Sequence, residues 1–435
     1  MNKIIYDATR SVYSMLTVLL LPVWAIYLVW RARKQPEYYL GWSQRFLAKI
    51  PVGHKGLSTT RRIWVHAVSV GETRAIAPLV KRWSDQFPND VWVFSSTTPT
   101  GQATAKQLFG SLKGAQFFYL PYDLPWLAKR CLKRLNANKL WLVETEIWPN
   151  LIHQARQAGV QVALINARVS PTTAKWWHRF ASLVSPTLQE IDAIACQTEA
   201  DAHHFQALGR KTDAIIGNLK FDIQLQPELV LLGQQWRNAL GHGPVLLLAS
   251  SRDKEETKLL QAMVRNQFFK RLPKATVIIV PRHPQRFDEV YKAMQLASAQ
   301  LGVAMPLKRS DWDTVHDARF ANLILGDSMG EMPAYYTLAN VAFLGGSWEP
   351  LGGQNLIEAC AYGCPVWMGP HVWNFSKAAE DALFAGAAIR FDEISQAVEL
   401  FLDRDGVMRP EMCESAKSFS LAHAGAVSKV MHLLA

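Results

Sequence analysis

The chain has 435 residues, nearly half of them apolar, which is more than one core usually holds and sets two domains as the expectation. Its net charge of +11 points to anionic partners, and five scattered cysteines argue against a disulfide-stapled fold and for a reducing compartment. Sixteen tryptophans fit a protein that meets a membrane or a flat, ring-shaped ligand.

Residues 11–30 (SVYSMLTVLLLPVWAIYLVW) carry no charge. About twenty apolar residues suffice for a helix to span a bilayer. Trp24, Tyr27 and Trp30 sit at one end, as an aromatic belt would, and Arg31, Arg33 and Lys34 follow at once. Lys3 and Arg10 precede the run, offset in part by Asp7, so the positive-inside rule places the body of the chain in the cytoplasm. Residues 1–34 therefore read as a membrane anchor. A cleaved signal peptide fits less well, because the run is long and lacks a small-residue cleavage pattern. A monotopic hairpin bent at Pro22 is the other alternative. From Arg31 to Arg62 the basic residues are Arg31, Arg33, Lys34, Arg45, Lys49, Lys55, Arg61 and Arg62, against Glu37 alone. A basic cluster beside an apolar run favours a membrane surface over nucleic acid, for which no recognition motif is visible. Residues 38–46 (YYLGWSQRF) read as interfacial.

From Arg62 the chain alternates strand and helix. Apolar strands are predicted at 63–67, 91–95, 115–118, 139–143, 161–165, 193–196 and 213–216, with helical stretches between most of them. Residues 35–217 thus form a first α/β domain with a doubly wound parallel sheet. Residues 218–243 break the rhythm with polar and turn residues and read as a linker. The alternation restarts at 245–250, 276–281, 322–327, 340–346 and 364–370, giving a second α/β domain over 244–435, with a return of its last helix to the first domain as the alternative. Two such domains in tandem are expected to face a cleft.

Three loops after strands carry the polar residues of the first domain. In residues 68–72 (VSVGE), Glu72 stands where a strand hands over to a helix, the ligand-binding edge of an open α/β sheet. Residues 95–101 (SSTTPTG) bring Thr98 and Thr100, which read as helix caps. Residues 144–150 (ETEIWPN) bring Glu144 and Glu146, with Pro149 suited to open a helix. Glu72 and one of the two later glutamates are candidates for acid–base chemistry.

In the second domain Arg282 follows a very apolar strand and offers forked, permanently charged donors to a phosphate. Residues 326–332 (GDSMGEM) supply a glycine for close approach and a helix start whose free N–H groups suit an anion. Residues 345–358 place two glycine pairs before a helix, with Asn355 and Glu358 on one face, where a carboxylate can accept both hydroxyls of a ribose. Three such loops in order fit a nucleotide-sugar site, although none is a Walker loop or a dinucleotide fingerprint. Asp311-Trp312-Asp313 and Asp403-Arg404-Asp405 have D-x-D spacing but follow no strand, and no Cys/His set has zinc spacing, so no metal site and no cofactor are expected.

These pieces together resemble the bacterial 3-deoxy-D-manno-octulosonic acid (Kdo) transferases: HAVSVGE at 66–72, TTPTG at 97–101, LPYD at 120–123, ETEIWPN at 144–150, NARVS at 166–170, GNLKFD at 217–222, PRHPQRF at 281–287, GDSMGEM at 326–332 and GGQNLIEA at 352–359. The resemblance implies a GT-B glycosyltransferase fold, with the acceptor on the first domain and CMP-Kdo on the second. It implies metal-independent, inverting transfer of Kdo to the lipid A precursor lipid IVA in the inner membrane. By motif match Glu72 takes the general-base role, and Glu146 and Lys220 support the transition state. Pro281, Arg282, Met329, Gly330, Glu331, Asn355, Leu356, Ile357 and Glu358 fall on the CMP-binding stretches. Residues 355–358 read Asn-Leu-Ile-Glu where many relatives have Asn-Pro-Leu-Glu, a change of loop shape that keeps the contacting Asn and Glu. A UDP-sugar transferase on the same fold and a non-catalytic nucleotide-sugar sensor are the competing expectations, and the presence of both Glu72 and Glu146 speaks against the sensor.

Overall fold

The structure is a computed structural model, and it describes residues 3–52, 61–223, 225–312, 321–406 and 410–435. Lys55 of the basic cluster and Asp313 of the first D-x-D pair lie outside these residues. The chain divides into two compact units, residues 1–222 with 424–435 and residues 223–423.

In the first unit seven strands alternate with helices: β1 Arg62–His66, β2 Val91–Ser96, β3 Gln116–Tyr119, β4 Lys139–Val143, β5 Gln161–Ala167, β6 Ala193–Cys196 and β7 Ala214–Ile215. All pairings are parallel, in the spatial order β3-β2-β1-β4-β5-β6-β7. Every residue of β1 is buried, as a central parallel strand covered on both faces requires. Its side chains alternate between two cores. Trp64 packs with Val93, Leu140 and Val162, whereas Ile63 and Val65 pack with Ile76, Leu79 and Trp141. The sheet winds outward in both directions from the β1–β4 junction, so that junction is its topological switch point, where a crevice opens at the carboxyl ends of the strands.

The second unit repeats the plan: β8 Val245–Ser251, β9 Thr276–Pro281, β10 Leu307–Lys308, β11 Leu323–Leu325, β12 Val341–Leu344, β13 Val366–Met368 and β14 Ala388–Arg390. The order is β10-β11-β9-β8-β12-β13-β14, again all parallel, with the switch point between β8 and β12.

Several expectations change. Residues 218–243 are not an irregular connector. They hold a 3-10 turn, Leu219–Phe221, in the first unit and a helix, Pro227–Leu240, in the second, started by proline at its first turn. That helix buries Gly233 and Trp236, and Trp236 meets Tyr335 at 5.1 Å. The final helix, Ala426–Leu434, belongs to the first unit, where Val427, Val430 and Met431 join the Ile63 core. Trp64, Trp83, Trp92, Trp141 and Trp367 are fully buried, so much of the tryptophan count reflects core packing rather than ligand or lipid. Arg45 and Arg62, counted in the basic cluster, are also buried. Arg45 lies 4.1 Å from the Tyr119 ring centroid and donates to the Thr97 carbonyl at 2.9 Å, and Arg62 donates to the Leu135 carbonyl at 2.6 Å.

The N-terminus is one helix, α1, Lys3–Ala32, with Pro22 inside it, so the hairpin is not formed. Within residues 4–32 an 18-residue window reaches a mean hydropathy of 2.1, and the helix is long and apolar enough to cross a membrane. A short helix, α2 (Trp42–Leu47), follows.

Candidate active site

The β1–β4 switch point gathers the carboxylates of the first unit. The helix after β1, α3 (Val70–Gln86), is capped by Ser69, whose hydroxyl oxygen accepts from the Glu72 N–H at 3.3 Å. Glu72 reaches back: Oε2 accepts the Val68 N–H at 2.7 Å and Oε1 accepts the Ser69 hydroxyl at 2.8 Å. The carboxylate is thereby fixed at the mouth of the sheet in the first turn of a helix. Its pKa is pushed up to about 6. Burial is the main cause, the Val68 and Ser69 donors oppose it, and the carboxylates of Glu146 and Glu144 add to it. A carboxylate that is ionised near neutral pH yet more basic than usual suits proton abstraction.

Glu144 stands at the end of β4 with a left-handed backbone (φ 62°), an unusual state for a residue with a side chain. Its Oε1 accepts from Lys220 Nζ at 3.0 Å. Lys220 rides on the Leu219–Phe221 turn, which Asn166 secures by accepting the Leu219 N–H at 3.0 Å. A Cβ added at Gly71 would lie 4.0 Å from Lys220 Nζ, so the ammonium flanks the start of α3. Glu146 accepts from Trp148 Nε1 at 2.8 Å and lies 3.5 Å from Nε2 of His66, a fully buried histidine whose other ring nitrogen is 2.9 Å from the Ser95 hydroxyl. The first unit thus brings together Glu72, Glu144, Glu146 and Lys220, and Lys220 pairs with Glu144 rather than Glu146. Thr98 is a cap: it accepts from the Gly101 N–H at 3.1 Å and donates to the Val68 carbonyl at 2.8 Å, tying the second loop to the first. Gly101 is required there, since a Cβ would stand 2.7 Å from that carbonyl oxygen.

In the second unit the predicted nucleotide residues share the carboxyl edge of one sheet. Arg282 follows β9, residues 329–331 follow β11, and residues 355–358 close the long loop after β12 at the switch point. Glu358 has its pKa raised by burial, and the positive charge of Arg282 opposes that shift. Asn355 caps the helix Leu356–Ala361, its Oδ1 accepting the Ile357 N–H at 3.1 Å, which leaves its amide donors available. Pro281, Leu356 and Ile357 are buried, so their side chains belong to the core and only backbone groups can meet a ligand. Met329 is exposed, Gly330 has φ 83°, and Glu331 pairs with Arg309 at 3.0 Å.

Glu255 has a role that no local sequence signal marks. It is fully buried and accepts three backbone N–H groups, from Arg252 at 2.8 Å, Gly346 at 2.8 Å and Trp348 at 3.0 Å. This one carboxylate lashes the loop after β8 to the loop after β12. The latter loop also closes on itself, with Gly353 N–H to Gly346 carbonyl at 2.7 Å. Among the described residues no group of three His, Cys, Asp or Glu is placed to hold a metal ion.

The comparisons with known proteins agree with one another. A family model described as 3-Deoxy-D-manno-octulosonic-acid transferase (kdotransferase) matches residues 41–223. A 3-deoxy-D-manno-octulosonic acid transferase of Bordetella pertussis is 39% identical over 379 residues, 86% of this chain and 86% of that one. A Haemophilus influenzae protein of the same name is 27% identical over 435 residues, 98% of each chain. In three dimensions the chain is similar to a crystal structure of a glycosyltransferase from Rickettsia africae, at a TM-score of 0.52 and 13% identity over 86% of this chain and 98% of that one, a likeness of fold.

Proposed function

The chain belongs to the 3-deoxy-D-manno-octulosonic acid (Kdo) transferase family, and from that premise we propose that it moves Kdo from CMP-Kdo to a glucosamine hydroxyl of lipid IVA, with Glu72 as general base. It is a glycosyltransferase of lipopolysaccharide assembly, and its two parallel seven-stranded sheets and its likeness of fold fit the GT-B class. The proposed setting is the cytoplasmic face of the inner membrane, where acceptor and apolar N-terminal helix share a solvent.

The observation that carries the reading is Glu72 itself, held by Val68 and Ser69 at the switch point with its pKa raised to about 6. An acceptor hydroxyl is a weak acid and needs a base as the new bond forms. The hydroxyl oxygen attacks the anomeric carbon of Kdo, and its proton passes to Glu72. The bond from that carbon to the CMP phosphate oxygen breaks on the opposite face, and the electron pair leaves on CMP. One displacement inverts the anomeric centre. It needs one base and a separate stabiliser for the leaving group, by analogy with inverting glycoside hydrolysis. Arg282 is the proposed cation for that phosphate, and Lys220, with Glu146, supports charge in the transition state. Glu358 and Asn355 are the proposed contacts to the nucleoside of CMP. Because protein cations carry the phosphate charge in this scheme, transfer is expected to persist in EDTA.

A donor panel tests the reading. Purified enzyme and lipid IVA are given CMP-Kdo or UDP-sugars in parallel, and products are read by mass spectrometry. The expected product is lipid IVA carrying one or more Kdo residues, from CMP-Kdo alone. Transfer from a UDP-sugar with none from CMP-Kdo would overturn the proposal.

A further inference from the structure

We infer that α1 lies flat in one leaflet of the membrane, docked along its length on the first unit, instead of crossing the bilayer. This goes beyond the transfer reading and does not depend on it.

One stripe of α1 is bound to the body. Tyr6 donates to Glu190 Oε2 at 2.9 Å, Thr9 to the Ser182 carbonyl at 3.3 Å, and Asn150 Nδ2 to the Ser14 hydroxyl at 3.0 Å. Thr17 is buried, Leu21 packs on Leu124 and Leu127, and Trp24 stacks on Tyr122 at 4.7 Å and 2°. Leu28 is buried with Ala32 and Tyr38. Apart from one step of five between Thr9 and Ser14, the spacing is three or four residues, which makes this a single helical face. From Tyr6 to Leu28 it runs about 33 Å at 1.5 Å per residue, which is about the full thickness of the hydrocarbon layer.

A helix docked over that length cannot cross without taking the body with it. Glu190, Asn150 and the residues around Tyr122 would have to sit at membrane depth, where carboxylates and polar side chains are costly. Undocking is no better, because Tyr6, Ser14 and Thr17 would lose their surroundings to lipid. Lying flat satisfies both sides. The bound stripe carries the polar groups, and the opposite face is apolar and exposed, with Leu19 at 65% and Ile26 at 70%.

Lipid is the occupant because the exposed apolar surface continues from α1 onto interfacial residues with cations beside them. At one end are Tyr39, Leu40, Leu47 and Trp126, near Arg33 and Lys34 in sequence. At the other, Trp176 stacks on Phe180 at 5.6 Å, just before the Ala181–Gln189 helix that packs on α1, with Lys175 and Arg179 exposed. Exposed aromatic rings flanked by lysine and arginine are the chemistry of an anionic headgroup boundary.

The test uses the full-length enzyme in sealed, inside-out inner-membrane vesicles. Asp7→Cys, near the start of α1 and half exposed at the border between the docked stripe and the lipid-facing side, is treated with a membrane-impermeant maleimide, with Cys413→Ser removing the one native thiol among the described residues that is not buried. A flat helix leaves position 7 at the water boundary on the same side as the catalytic body, so labelling is expected without permeabilisation. Labelling only after permeabilisation would show a crossing helix and overturn the inference. As a second readout, Leu19→Glu with Ile26→Glu is expected to cut flotation of purified enzyme with phosphatidylglycerol vesicles at least tenfold at unchanged melting temperature. Unchanged flotation, or a wild-type dimer that these changes convert to monomer, would show that lipid is not what covers this face.

Discussion

Glu72 does two jobs with one carboxylate. It closes the N-terminal turn of α3 by accepting from Val68 and Ser69, and it presents a base at the sheet edge. Its raised pKa sets the pH behaviour: the base must be ionised, so kcat/KM should fall about tenfold per pH unit below about 6 and level off above it, as an initial-rate profile would show. Lys220 balances Glu144 beside it. Lys220→Met should lower kcat by roughly 10²–10³, the usual size for removing a transition-state charge. It also leaves the Glu144 charge uncompensated near Glu72, so the acid limb should move to higher pH; a limb that stays put would mean that Lys220 acts elsewhere. Glu72 was legible in the sequence because strand, turn and helix are all local signals. Glu255 was not. It reads as an ordinary acidic residue at a helix start, and two of its partners, Gly346 and Trp348, lie 91 and 93 residues away.

At the scale of elements, the strands that pack on both faces were plain from their apolar runs, and β8, β9 and β12 fall where expected. The edge strands β10 and β14 were missed, because two or three residues at a sheet edge carry no periodicity. The helix Pro227–Leu240 reads as linker because its apolar run, residues 229–232, is not the buried face; Gly233, Trp236, Ala239 and Leu240 are buried, and two of these four are too small to mark a hydrophobic stripe. Which loops flank the switch points was not legible either, since strand order depends on long-range pairing. The loop after β12 yields a direct prediction. Glu255→Ala leaves three backbone donors without their acceptor, at a cost of ~1–3 kcal/mol each if they stay buried. Calorimetry should show reduced stability and weaker CMP binding; unchanged CMP affinity would mean that the loop does not hold the nucleotide.

For the whole molecule, the first unit depends on both ends of the chain. Asp222 accepts the Gly425 N–H at 3.0 Å, and Ala426, Val427 and Val430 fill the core around Ile63 and Trp83. Removing residues 424–435 should therefore destabilise the N-terminal unit, seen as loss of soluble protein or a lower first melting transition. The central claim is that Glu72 takes the acceptor's proton. Its most direct test is single-turnover Kdo transfer to lipid IVA by wild type and by Glu72→Gln across pH 5–8, with CMP binding measured on both. The account predicts a wild-type profile that breaks near pH 6, a variant slower by about 10² or more at pH 8, and equal CMP affinity. A variant within threefold of wild type at pH 8 would contradict it.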